Sequence, residues 1–308
     1  MKYSFILPAY KARFLKEAID SILLQTYTDY ELIIVNDASP EDLYSIVKTY
    51  LNDSRIKYFV NEYNIGGKDL VSQWNKCLKY SNGEYIILAS DDDAYHPNYL
   101  EKMNSLVVQY PNVSVFRPRV QIIGVNGEIL AVESILGEYC SLFEFAYSWK
   151  EGWVKRGIPF YLFKKQSLID IGGFVSFPLA WHSDDATVLS LAKNGVVSCS
   201  DLLFSFRHSG ESISTKKNDV YTLRCKLNAT EMFYSWYKTF LQKIEPSNYL
   251  ESFYKTTIIQ NIVYDRKNDS CLWVSCSSFK AILLNSIKLL ENKIVTCKTL
   301  LYFLRHSI

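Results

Sequence analysis

Three aspartates in a row, Asp91, Asp92 and Asp93, follow directly on the apolar run "EYIILAS". Adjacent carboxylates repel, and ionising all of them is unfavourable unless a cation or a set of donors compensates. The stretch is therefore either a solvated turn or a holder of something positive. Mg²⁺ and Mn²⁺ prefer carboxylate, phosphate and water oxygens, and they commonly bridge one or two carboxylates to a diphosphate. A cation held so offsets the charge that builds on a diphosphate leaving group. In extended backbone Asp91 and Asp93 point to one side and Asp92 to the other, so the three need not share one task. Lys68, after Gly66-Gly67, offers a phosphate contact without the spacing of a P-loop.

The elements that must position these residues show in the periodicity. "YSFIL" reads as a strand, and "RFLKEAIDSILLQTY" as a helix with Leu15, Ala18, Ile19, Ile22 and Leu23 at helical spacing. "ELIIVND" is a continuous apolar strand of the kind buried on both faces. "EDLYSIVKTYL", "IKYFVNE", "KDLVSQWNKCLKYS" and "EYIILAS" continue as helix, strand, helix and strand, which implies a parallel sheet with right-handed crossovers. Ligands of such sheets bind beyond the carboxyl ends of the strands. Those ends carry Pro8-Ala9-Tyr10, Asn36-Asp37-Ala38-Ser39, residues 61–67 and the triple aspartate. Farther on, "VFRPRVQIIGVNGEIL" reads as a strand pair turning at Asn126-Gly127. "SDDATVLSLAKNG" reads as an N-capped helix ending at Gly195, and the chain beyond Lys216 reads as helical. In its last helical stretch Ile282, Leu283, Ile287, Leu290 and Ile294 fall on one stripe.

With 48% hydrophobic and 21% charged residues in 308, the chain is globular rather than disordered. A net charge of +2 gives no field that argues for nucleic acid. The 23 Tyr, 17 Phe and 6 Trp suit flat amphipathic ligands or an aromatic core. Seven scattered cysteines, with no CxxC pair and no His at zinc spacing, read as buried thiols of a reducing compartment. The start "MKYSFILPAY" is too short in apolar residues for a secretory signal, and no 18-residue apolar run appears, so a cytoplasmic location is expected.

Taken together, "FILPAYKARFLKEAIDSILLQTYTDYELIIVNDASPED", "NEYNIGGKDLVSQWNKCL" and "NGEYIILASDDDAYHPNYL" resemble the family 2 inverting glycosyltransferases of GT-A fold. The pattern continues through "LFKKQSLIDIGGF" and "SDDATVLSLAKNG", so it covers about residues 2 to 215. The resemblance implies an α/β fold with a mostly parallel, Rossmann-like central sheet flanked by helices. It divides the chain into a nucleotide-sugar-binding half (1–100), an acceptor-binding half (101–215) and a helical C-terminal extension (216–308). By position it implies that Pro8 and Tyr10 border the nucleobase, that Asp37 hydrogen-bonds it, usually uracil, and that Asp91 lies at the ribose and Lys68 near the phosphates. Asp92, with Asp93 beside it, would hold Mn²⁺ or Mg²⁺ on the diphosphate. Ser90 stands where the family often has the first acid of an Asp-Xaa-Asp-Asp run, and Asn36-Asp37 where it tends to have an acid pair.

Asp184-Asp185 falls where the family carries a Glu-Asp pair whose second member is the general base. The reaction needs such a group, because the acceptor hydroxyl must lose its proton as it attacks the anomeric carbon. The resemblance gives that role to Asp185 and leaves Asp184 to capping or acceptor binding. Arg207, His208, Ser212 and Ser214 fall in a segment that can close over the diphosphate, where Arg suits phosphate geometry. His96 reads as a loop residue, and Trp181 with His182 as core or a sugar platform.

The implied partners are a nucleotide-sugar donor and a saccharide or lipid-linked saccharide acceptor, in bacterial surface polysaccharide synthesis. Two other classes share features: sugar nucleotidyltransferases, which need a glycine-rich loop that "LPAYKARFLK" lacks, and a non-catalytic glycan-binding relative, which would not need both carboxylate clusters. From Arg266 to Ile308, seven Lys or Arg stand against two acids among apolar residues. Such helices pack on the catalytic domain, form a dimer, or rest peripherally on the inner face of an anionic membrane.

Overall fold

In the computed structural model, which describes residues 1–210 and 217–307, the chain opens with β1 (Tyr3–Ala9), α1 (Leu15–Leu23), β2 (Tyr30–Asn36), α2 (Leu43–Val47), β3 (Ile56–Val60), α3 (Leu70–Leu78) and β4 (Tyr85–Leu88). The continuous apolar runs form the central strands because both faces are covered: every residue of β2 and of β4 is buried. Helix α1 turns Leu15, Ala18, Ile19 and Ile22 inward, as its spacing requires. Asp69 starts α3 by accepting a hydrogen bond from the Ser72 amide at 3.0 Å. All neighbouring pairs in the order β3-β2-β1-β4 are parallel. The order reverses between β1 and β4, which opens a crevice at their carboxyl ends.

The sheet continues through β5 (Ala94–Tyr95), β6 (Val115–Ile123), β7 (Ile129–Val132), β8 (Tyr139–Cys140), β9 (Leu162–Lys164) and β10 (Val196–Arg207). Between them lie α4 (Tyr99–Gln109), α5 (Leu142–Lys150), α6 (Lys165–Asp170) and α7 (Ser183–Leu191). β9 inserts antiparallel between β4 and β6, and β10 lies parallel to β6. Register then fixes what shares the crevice edge. Leu162 pairs with Ile87, so the chain enters β9 from the edge where β4 ends. Arg207 pairs with Ile123 at the far end of β6, so β10 leaves the sheet at that same edge. The β6–β7 hairpin turns through Gly127 at φ 85°, a left-handed conformation that glycine adopts without strain.

Much of the aromatic content is core. Phe5 packs edge-on to Tyr30 and Tyr95, and Tyr95 in turn on Phe204, at centroid distances of 4.9 to 5.8 Å. No cysteine of the chain forms a disulfide. Cys77 and Cys140 are buried, which pushes their thiols up to about 12 and about 11. Cys276 and Cys297 are exposed, against the expectation that all seven are buried.

Residues up to Ser176 and Ser183–Ser209 form one compact unit; Phe177–His182 and the chain from Gly210 form a second. The second unit holds α8 (Val220–Gln242), α9 (Tyr249–Ser275), α10 (Phe279–Glu291) and α11 (Cys297–His306). Each begins on a side-chain cap, from Asp219, Asn248, Ser278 and Thr296 respectively. Their core gathers Leu223, Leu227, Val274, Ile282, Leu289 and Leu300. The expected stripe divides here: Ile282 is buried, Leu290 and Ile294 half-buried, and Leu283 and Ile287 exposed. Among the described residues no helix is long and apolar enough to cross a membrane.

Trp181 and His182 are packed within this second unit rather than set out as a sugar platform. Trp181 meets Trp273 edge-on at 4.7 Å, and His182 stacks on Phe233 at 4.6 Å. Leu179, Ala180 and His182 sit at φ 57°, 56° and 64°, each strained by about 1 to 3 kcal/mol in residues with a β-carbon. Beneath Trp181 the buried Lys226 ammonium lies 4.0 Å from the ring centroid and 5.6 Å from that of Trp273. Loss of water lowers the Lys226 pKa to about 8. Between that value and the ordinary lysine value of about 10.4, the folded chain has shed a proton that the unfolded chain still holds, so stability rises with pH across that window. Lys226→Met is expected to flatten this rise and to raise the urea midpoint at pH 7. Parallel pH profiles for the two proteins would show that the ammonium is not desolvated.

Candidate functional site

At the point where strand order reverses, the loop after β1 is tied to the loop after β4. The backbone amides of Tyr10 and Lys11 both donate to Asp91 Oδ2 at 2.8 Å. Burial raises the Asp91 carboxyl above its ordinary value, and these two amides act against that rise. The loop after β2 joins through Ser39, whose hydroxyl donates to the Tyr10 carbonyl at 2.5 Å. Asp37 organises the loop after β3: it accepts from Asn61 Nδ2 at 2.6 Å, the Ile65 amide at 2.9 Å and the Gly66 amide at 2.7 Å. A β-carbon at position 66 would lie 2.9 Å from Asp37 Oδ2, which is why glycine stands there. Ala38, next to Asp37, holds φ 50°, a strained backbone at the same edge.

The structure therefore brings Tyr10, Asp37 and Asp91 together, with Tyr10 40% exposed. Pro8 lies inside β1 opposite Val35, beyond the last β1–β4 pair at Ile6, so its missing N–H leaves no gap in that ladder. Lys68 is exposed in the turn that leads to α3, at the same edge.

Within the triplet, burial follows the alternation expected of extended chain. Asp91 and Asp93 are buried and Asp92 is half-exposed. Asp93 Oδ1 accepts from the Arg207 amide at 2.9 Å; burial, then the neighbouring Asp92 charge, raises its carboxyl well above the ordinary value. Asp92 Oδ2 accepts from the Ser209 hydroxyl at 3.0 Å. No cage of three or more His, Cys, Asp or Glu forms among the described residues. A half-exposed carboxylate fits a hard cation whose other ligands are diphosphate and water oxygens. Asp93 does not fit as a second ligand, because it is 1% exposed and its Oδ1 is held by the Arg207 amide.

Arg207 departs from the expected lid. Its guanidinium donates to the Asp92 carbonyl at 2.9 Å, the Val125 carbonyl at 3.1 Å and Glu17 Oε2 at 2.7 Å, and it covers the Phe14 ring at 4.3 Å. With these donors committed and the residue 6% exposed, it braces the aspartate loop. His208 is exposed, and its amide donates to the Ile123 carbonyl at 2.8 Å. Ser212 and Ser214 lie outside the described residues. His96 accepts from the Asn98 amide at 3.2 Å, as a loop residue does.

The second acid pair opens α7, where the Asp185 amide donates to Asp184 Oδ1 at 2.9 Å. Asp184 and Asp185 line a small, open pocket with Trp149, Gly157 and Tyr161. Arg156, unmarked in the sequence, stacks on Trp149 at 5.0 Å and reaches Asp185 Oδ2 at 3.4 Å. Its neighbour is anchored by a buried acid: Glu133 accepts from the Lys155 amide at 2.5 Å and from Arg117 Nη2 at 2.5 and 2.7 Å. Arg117 is 1% exposed, so Glu133→Ala would strand a buried cation. A loss of about 3 to 5 kcal/mol in unfolding free energy is expected by chemical denaturation. A loss under about 1 kcal/mol would show that the pair is not a clamp.

The comparisons with known proteins decide the family: the model for Glycosyl transferase family 2 matches residues 4–172, more than half of the chain. The chain belongs to glycosyltransferase family 2. This transferase is 29% identical over 218 residues to WfgD of Escherichia coli, a UDP-Glc:α-D-GlcNAc-diphosphoundecaprenol β-1,3-glucosyltransferase, across 70% of its own length and 80% of that protein. A Rickettsia typhi glycosyltransferase is 37% identical over 113 residues, 36% of this chain, and the chain spans 34% of that protein. In fold, the transferase is similar to TarS residues 1–349 of Staphylococcus aureus, solved with UDP-GlcNAc, at TM-score 0.64 and 18% identity over 92% of this chain and 84% of that one. It is also similar to the mannosyltransferase PcManGT of Pyrobaculum calidifontis, solved with GDP-Man and Mn²⁺, at TM-score 0.55 and 14% identity over 99% and 85%. The fold is thus GT-A, with the β1-to-β4 sheet and both acid clusters in one unit.

Proposed function

We propose that this glycosyltransferase is metal-dependent and inverting, and moves a sugar from a UDP-sugar to an acceptor hydroxyl. The observation that carries the reading is the placement of Tyr10, Asp37 and Asp91–Asp93 on one sheet edge, with Asp184-Asp185 in a pocket beside Tyr161, which enters β9 from that edge. The exposed Tyr10 ring borders the base, Asp37 accepts from it, and Asp91 faces the ribose. Lys68 supplies positive charge toward the diphosphate, and the exposed His208 offers it a ring N–H. A divalent cation at Asp92, Mn²⁺ or Mg²⁺, would neutralise charge on the departing diphosphate.

Asp185 takes the proton of the acceptor hydroxyl as its oxygen forms a bond to the anomeric carbon. The bond from that carbon to the diphosphate oxygen breaks on the opposite face and its electron pair leaves with the nucleoside diphosphate, which inverts the centre. Asp184, bonded to the Asp185 amide, holds the turn that aims the base. The named donors of WfgD and TarS support UDP, and the WfgD name supports a lipid-linked saccharide acceptor. Seven cysteines without a disulfide suit a cytoplasmic site of action.

A panel of UDP-, GDP- and dTDP-sugars, with Mn²⁺, Mg²⁺ or EDTA, tests this by thermal shift and donor hydrolysis. UDP-sugars should raise Tm and be hydrolysed slowly only with metal present. Preference for another base, or equal effects in EDTA, would overturn the donor or the metal assignment. Release of pyrophosphate from UTP and a sugar 1-phosphate would instead mark a nucleotidyltransferase.

A further inference from the structure

Helix α10 is apolar on two opposite faces. At 100° per residue, Ala281, Ile282, Asn285 and Leu289 turn into the helical core. The opposite face carries Phe279, Leu283 and Ile287 at successive four-residue steps, with Leu284 beside them, and these are 41, 48, 71 and 59% exposed in that order. Four large apolar side chains in one row on solvent mark an interaction surface rather than scattered exposure. Lys280 and Lys288 are exposed on the same helix, and three more basic residues follow before Ser307, against Glu291 as the one acid from Phe279 onward.

We propose that this outward face of α10 docks on an anionic lipid surface, lying parallel to it. The apolar row would enter the boundary between headgroups and acyl chains while the lysine stems carry their ammonium groups out to the phosphates. The charge decides against a second copy of the chain as occupant. A two-fold contact sets this face against itself, so Lys280 and Lys288 would meet their counterparts in a dehydrated interface with only Glu291 to offset them. Because no described helix spans a membrane, the contact lies at the surface. It does not depend on which sugar is transferred.

The test is co-sedimentation of the full chain with phosphatidylglycerol–phosphatidylcholine vesicles and with phosphatidylcholine vesicles alone. The wild type should pellet with the anionic vesicles, more weakly as salt rises, and stay in solution with the neutral ones. Leu283→Asp with Ile287→Asp should cut the pelleted fraction about tenfold or more, and Lys280→Glu with Lys288→Glu should also weaken it. Both positions of the first pair are exposed, so the melting temperature and donor hydrolysis should hold, which separates a failed docking face from a failed enzyme. Wild type that stays in solution, or variants that pellet as well as wild type, would overturn the proposal. A dimer seen by light scattering and lost in the aspartate variant would overturn it too, by giving the face to a second copy.

Discussion

Asp185→Asn is expected to slow transfer to the acceptor by about 10² to 10⁴-fold while leaving donor affinity unchanged. The substitution keeps shape and an oxygen that can accept from Arg156, 3.4 Å away, so the pocket should stay assembled. What it removes is the capacity to take a proton from the acceptor hydroxyl. Single-turnover transfer with saturating donor, alongside donor titration by calorimetry, separates the two effects. Unchanged transfer would make the acid pair a helix cap with no part in the chemistry. Arg156 gives a second handle. Its guanidinium lies 3.4 Å from Asp185 Oδ2, so Arg156→Ala should slow transfer with little change in donor affinity, and Arg156→Lys should restore part of the loss.

The second large effect is expected at Asp92. Asp92→Asn should abolish the metal-dependent rise in Tm with UDP-sugar and lower kcat/KM by about 10³-fold, which corresponds to about 4 kcal/mol of transition-state stabilisation. Asn can still accept from the Ser209 hydroxyl, so the loop should keep its form. Asp93→Asn is the matched control. That side chain is buried, and its bond from the Arg207 amide survives in the amide side chain. Full turnover by Asp92→Asn with metal present, or an equal loss in both variants, would remove Asp92 from the metal role.

β2 and β4 were legible because a parallel strand buried on both faces shows as an unbroken apolar run, and β1 and β3 followed from their alternation with helices; the residues at each strand end are then fixed by direction. Tyr10, Asp37 and Asp91 could be placed on one edge for that reason alone. β5 and β8 have two residues each and no pattern to read. Arg207 looked like a phosphate ligand because an arginine among serines carries no sign of distant carbonyls. Its partners at Val125 and Glu17 are 82 and 190 residues away. Arg156 went unread for the converse reason: its value lies in a contact to Asp185, 29 residues away with β9 and α6 between them. The C-terminal stripe counted apolar residues correctly but could not say which of them face inward, since α10 is apolar on both sides.

The segment Phe177–His182 leaves the sheet unit, lodges among α8 and α9, and returns at Ser183, two residues before Asp185. Its three left-handed residues and its aromatic side chains are held by Phe233, Thr230 and Trp273, which are all supplied from beyond residue 210. The helical region is consequently not an appendage that a shorter enzyme could do without. A truncation at residue 210 would leave a strained, greasy stretch without its socket directly upstream of the acid pair. Grafting these helices onto another transferase would require two exchanges, the tail and the six-residue insert it grips. The two have to be inherited, and engineered, as one part.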